Sequence, residues 1–130
     1  MSRLYKAYGR DRSNTVKSQI FNMDNGAGTT IDETIMCRTK QVKLLSARFV
    51  EDTETAGTVN AATIQLGTTV GGVDVIAATG YTNAAVVGAV QTLTLKKTII
   101  QPNTPLIVRH TGIASVVAGQ GHLEVEYMEF

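Results

Sequence analysis

The chain closes on HLEVEYMEF, where His122, Glu124 and Glu126 alternate with Leu123, Val125 and Tyr127. Successive strand side chains point to opposite faces, so this pattern predicts a strand with an apolar row inward and a polar row outward. Similar alternation recurs along the body. VKLLSARFVE (42–51) places Leu45, Ala47 and Phe49 on one face, with Lys43 sharing their parity and Ser46 and Arg48 opposite. DTETAG then reads as a turn. TVNAATIQLG (58–67) sets Ile64 and Leu66 against Thr63 and Gln65, and Gly71-Gly72 suits a tight hairpin to VDVIAAT (73–79). That run is nearly continuous in apolar residues, which implies burial on both faces or at a contact. QTLTLKK (91–97), LIVRH (106–110) and GIASVVAGQG complete the set. One short helix fits at 81–91, capped by Thr82 or Asn83, and its glycine and valines limit its length.

The expected fold is all-β: a single β-sandwich, jelly-roll-like, or a small barrel. Thr, Val and Ile, which favour strands, make up about a third of the chain. Residues 1–40 differ from the rest. They divide into a basic arm (1–17) and an irregular lead-in (18–40), in which SQIFNM and ETIMCRT each suit an edge strand. The sandwich is expected over 41–130. Arg3, Tyr5, Lys6, Tyr8, Arg10 and Arg12 have the composition of a contact segment, since tyrosine and arginine are enriched where proteins dock. The competing reading is a frayed terminus.

Charge sharpens this division. The whole chain carries a formal +1, which does not resemble a nucleic-acid binder. Residues 1–20 hold five cations against Asp11 alone, so a basic arm precedes a mildly acidic body. There is a single cysteine, Cys37, so no disulfide within the chain and no cysteine-built zinc cluster can form. No apolar run reaches the length of a membrane span. The start has no apolar signal region, and a soluble protein made in a reducing compartment is expected.

Catalytic and ligand motifs are weighed against simpler roles. Along one strand, His122 and Glu126 lie roughly 13 Å apart, too far to share an ion; the row reads as a solvated face unless a neighbouring subunit brings Lys or Arg across. His110 follows Arg109 at a strand end, and no serine lies in a nucleophile elbow. Cys37 reads as a buried or half-buried, inert thiol rather than a nucleophile. DNGAGTT and AGQGH contain G-x-G without the strand–helix context or the Lys-Ser/Thr of a phosphate cradle. Glu51, Asp52 and Glu54 could form a weak surface calcium site; a charged turn is the default. Aromatics are too few and too scattered for a single-stranded nucleic-acid platform. No cofactor is expected, and no catalytic constellation emerges.

The stretch GTVNAATIQLGTTVGGVDVIAATGYTNAAVVGAV through LIVRHTGIASVVAGQGHLEVEY resembles the small head-decoration, or cement, proteins of tailed bacteriophages. The similar features are Thr/Ala/Gly/Val-rich strands, the valines near VIAATGYTN, the late VRHTG turn and the final strand, over about residues 45–127. The resemblance implies a jelly roll or related sandwich, a homotrimer, and a non-enzymatic role. It implies binding to the outer surface of a capsid, where each subunit bridges neighbouring major capsid proteins at three-fold or quasi-three-fold positions. The arm residues named above would make the capsid contact. No nucleic-acid or membrane partner is implied. The alternatives are another virion component (neck, tail or fibre) or a carbohydrate-binding sandwich, the last disfavoured by the absence of tryptophan.

Overall fold

A computed structural model describes residues 13–22, 30–57, 62–81, 87–112 and 116–130, with backbone only at 54–57 and 116–118. Its strands are β1 (Asn14–Lys17), β2 (Phe21–Asn22), β3 (Thr30–Cys37), β4 (Val42–Gly57), β5 (Thr63–Gly67), β6 (Ile76–Gly80), β7 (Val90–Leu93), β8 (Ile99–Ile100), β9 (Pro105–Thr111) and β10 (Val116–Glu129). One sheet has the order β3-β9-β5-β6. The other has β1-β10-β4-β7, with β2 also on β10 and β8 also on β4. All the pairings are antiparallel. The fold is therefore an all-β sandwich, as the alternation predicts. Of the helix expected over 81–91, residues 82–86 lie outside the described residues, and the rest is not helical: Val87-Gly88 form a turn, and Val90-Gln91 belong to β7, where the β-branched valine and the pairing with β4 favour a strand.

The apolar rows meet between the sheets. Ile64, Leu66, Ile76, Leu106 and Val108 face Val42, Leu44, Ala47, Phe49, Leu123 and Val125 in one core. An aromatic cluster joins the layers: Phe21 stacks on His110 with centroids 5.0 Å apart, and Tyr81 packs 4.5 Å from Phe49 and 5.3 Å from His110. SQIFNM and ETIMCRT supply β2 and the edge strand β3. Asn14–Lys17, counted with the arm by sequence, pair with Tyr127–Glu124.

Three departures from the alternation have local causes. On β4, Leu44 opposes Tyr127 and Ser46 opposes Glu126, so Leu45 is an extra residue in a bulge. The parity flips there: Leu44 is buried and Leu45 is exposed, which corrects the expected Leu45/Ala47/Phe49 face. A second bulge leaves Asp52 unopposed between Glu51 and Thr53. DTETAG continues the strand rather than turning. VDVIAAT is also not buried on both faces. Val75 and Ile76 are buried, but Val73, Ala77 and Ala78 are exposed because β6 is the edge of its sheet.

The β5–β6 connection runs from Thr68 to Val75 rather than through a two-residue turn. It is braced from several sides. Asp74 accepts from the Thr68 backbone N–H (2.9 Å) and hydroxyl (2.7 Å). Gln65 Nε2 donates to the Gly71 carbonyl at 2.9 Å, and Gly71 takes a left-handed φ of 73° that suits glycine. Burial would raise the Asp74 pKa, but the Thr68 bonds and Lys97 overcome this and lower it to about 2. Asp74→Ala is expected to cost about 1 kcal/mol, since the carboxylate is partly solvated. Amide exchange at Thr68 and Gly72 should speed up while the central strands stay protected.

Candidate functional site

The outer face of the second sheet carries the most organised polar cluster. β10 presents His122, Glu124 and Glu126 outward, while Leu123, Val125 and Tyr127 are buried as the sequence predicts. The register sets Glu124 opposite Arg48 on β4 and Lys17 on β1. Arg48 Nη2 donates to Glu124 Oε1 at 2.5 Å, and Lys17 Nζ lies 3.7 Å from Oε2. His122 bridges two carboxylates: Nδ1 to Asp52 Oδ2 at 2.7 Å and Nε2 to Glu124 Oε2 at 2.8 Å. The Asp52 bulge is what brings that carboxylate within reach. Glu126 accepts from Ser13 Oγ at 2.6 Å and Ser46 Oγ at 3.3 Å.

The row is thus not the freely solvated face expected from the alternation. Glu124 is only 9% exposed. The cations that cover it come from this same chain, and neither Asp52 nor Arg48 could be placed beside His122 without the strand register. Ionised carboxylates only accept, so both contacts are hydrogen bonds at once only when both ring nitrogens carry a proton, which favours the imidazolium form of His122. Burial would lower its pKa; hydrogen bonds and charge from Asp52 and Glu124 outweigh that and raise it above 6.5. Glu124 is held below its ordinary 4.5, first by the His122 bond and then by Arg48, against burial.

The sign for His122 follows from the raised value. Its stabilising contribution is complete below pH 6.5 and is lost as pH rises through the folded pKa. Thermal melts of His122→Gln should lack the alkaline decline that the unaltered chain shows above neutrality. A parallel decline in both would refute the imidazolium assignment.

The two nitrogens point to opposite sides of the ring, and among the described residues no group of three or more His, Cys, Asp or Glu converges on a metal position. Asp52 serves His122, Glu51 is buried, and the Glu54 side chain lies outside the described residues, so the described part of the suspected calcium cluster does not converge.

His110, the sequence's acid–base candidate, is fully buried on the inner face of β9. Its Nδ1 meets the Tyr81 hydroxyl at 2.5 Å, while Nε2 has no full hydrogen bond. Burial depresses its pKa to about 4, opposed in part by the backbone of Asn22. Burial and Glu51 raise Tyr81 well above 10. This pair has no path to a substrate at the surface, and the Tyr81 partner was not foreseeable without the fold. Cys37 is a free thiol at the end of the edge strand β3 and is exposed, which corrects the expected burial: Met36, not Cys37, takes the inward position. The predicted contact residues Arg3, Tyr5, Lys6, Tyr8, Arg10 and Arg12 all lie outside the described residues.

These features define a two-sheeted antiparallel sandwich whose polar clusters tie strands together. No family model and no curated protein match the sequence. Among solved structures, the chain is similar to a chain of the Cyanophage Pam1 capsid asymmetric unit, with a TM-score of 0.63 and 11% identity. The likeness spans 98% of this chain and 91% of that one, so two chains of similar length share one fold from end to end.

Proposed function

We propose that this chain is a non-enzymatic structural protein of a phage virion that binds the outer surface of the capsid. In this reading it stabilises the shell by bridging neighbouring major capsid protein subunits, as a homotrimer at three-fold or quasi-three-fold positions. The observation that carries the reading is the nearly full-length likeness of fold to a chain of a phage capsid. The sequence resemblance to head-decoration proteins points the same way. So does the polar chemistry of the described residues: His122, Glu124, Arg48 and Asp52 are consumed in fastening β10 to β4, and His110 is sealed in the core.

The physics of the role is modest contacts made together. Three linked copies turn the second and third contacts into intramolecular events, which raises overall affinity without a tighter single contact. An arm that orders on docking loses entropy and gains reach.

Two measurements test this. The chain should be found in purified virions at a fixed ratio to the major capsid protein, and light scattering should give a trimer in solution. A monomer together with absence from virions would sink the reading. Because β1 begins at Asn14, the arm is best removed as residues 1–12. That deletion should leave the melting temperature within about 2 °C, since it removes no residue of the described strands, and weaken binding to stripped heads. Undiminished binding would show that the arm makes no contact.

A further inference from the structure

The two ends of the sandwich differ in charge and in exposed apolar surface. One end collects the turn after β3, the loop before β9, the β5–β6 connection and the C-terminus. Asn103 N–H donates to the Arg38 carbonyl there, Phe130 N–H to the Gln41 carbonyl, and Lys96 N–H to the Val75 carbonyl. Two of its cations are already neutralised, Arg38 by Glu129 and Lys97 by Asp74. Lys40, Lys43 and Lys96 are exposed there and have no carboxylate partner among the described residues. Beside them stand Val70, Val73 and Phe130, 65%, 42% and 60% exposed. The braced Thr68–Val75 connection holds the two valines, so little ordering entropy remains to be lost when they are covered.

Asn14 opposes Tyr127 and Lys17 opposes Glu124, so the chain N-terminal to β1 leaves in the direction of Phe130. It carries Arg3, Lys6, Arg10 and Arg12 against Asp11. The opposite end is different. The described charged residues in that half include Glu51, Asp52 and the Asp32–Arg109 pair, whose cation is already neutralised.

We propose that the Phe130 end is the docking face of this protein. Its partner is a protein surface in which acidic residues surround shallow apolar hollows; resting on the reading above, that surface is the outside of the capsid shell. Charge complementarity selects the sign, and the exposed valines and phenylalanine select a protein over a nucleic acid, whose phosphates offer them nothing. A second copy fits less well. Joining this basic end to the acidic end of a neighbour is a heterologous contact that does not by itself close a trimer.

Lysine acetylation read by mass spectrometry tests the face, comparing chain bound on purified virions with the same chain released and refolded. Lys40, Lys43 and Lys96 are expected to react about tenfold more slowly on the particle, with Lys17 unchanged, as for charges covered at an interface. A chain that is bound but equally reactive at those lysines overturns the docking face and leaves the capsid reading standing. A chain absent from virions overturns the capsid reading and this partner with it. Protection lost on nuclease treatment would assign the face to nucleic acid, and protection present in the released oligomer would assign it to a second copy; either overturns the proposal. Independently, Lys40→Glu/Lys43→Glu/Lys96→Glu, folded by its melt, should bind stripped heads about tenfold more weakly at low salt and less so at high salt.

Discussion

Gly121→Ala should be strongly damaging, costing roughly 3 kcal/mol or preventing folding. Gly121 lies on β10 between Phe21 of β2 and Glu51 of β4. Its inward side, where a side chain would stand, is filled by the ring of Phe49. An added Cβ would fall inside the contact distance of Phe49 Cζ and Cε2 and 2.7 Å from the Val50 carbonyl oxygen. The ring cannot simply retreat, because its other face is packed against Tyr81, which is in turn held by His110. The carbonyl is part of the β4 backbone and moves only with the sheet. Chemical denaturation should show the loss as a lower midpoint at unchanged slope. Combining it with Phe49→Leu separates the two obstacles. If the ring is the main one, the double variant loses clearly less than the sum of the two single variants. Strict additivity would mean that the Val50 carbonyl, not the ring, sets the cost.

This glycine also illustrates what was legible in the sequence and what was not. The faces of β5, β9 and β10 could be read from alternation, because a regular strand keeps period two from end to end. β4 could not, because the bulges at Leu45 and Asp52 shift the register, and neither carries a glycine or proline to announce it. The same ambiguity hid the polar site. The spacing of His122, Glu124 and Glu126 was visible, but their partners lie on β1 and β4, and strand pairing is not encoded in any one strand's pattern. The Gly121–Phe49 contact and the Tyr81–His110 pair belong to the same class. Each joins residues far apart in sequence, and each depends on which strand lies beside which. The arm is the reverse case: its composition was plain from the sequence, and its structural setting is known only through the direction in which β1 leaves the sheet.

Acidification should loosen the sandwich from inside, through His110. Its folded pKa is depressed from 6.5 to about 4 by complete burial between Phe21 and Tyr81. Between those values the unfolded chain binds a proton that the native chain refuses. The stability contributed by the neutral ring is therefore fully present above pH 6.5 and falls as pH drops towards 4, by about 3 kcal/mol in all. Other groups bear on the same window. His122, with its raised pKa, is charged in both states well below 6.5, and Asp74 and Glu124 start to lose their contributions only near the bottom of the window, as the unfolded chain's carboxyls take up protons around 3.8 and 4.5. The clean comparison is with Tyr81→Phe/His110→Leu, which removes both polar partners and leaves no unpaired hydroxyl in the core. On acidification from pH 7 to pH 4 the unaltered chain should lose stability steadily relative to this variant. A difference that stays constant across that range would mean that His110 does not titrate there, and that its Nε2 has a hydrogen-bond partner. Tyr81→Phe alone carries the complementary information: it strands Nδ1 as well as Nε2 in an apolar setting, and should cost about 1–3 kcal/mol at neutral pH.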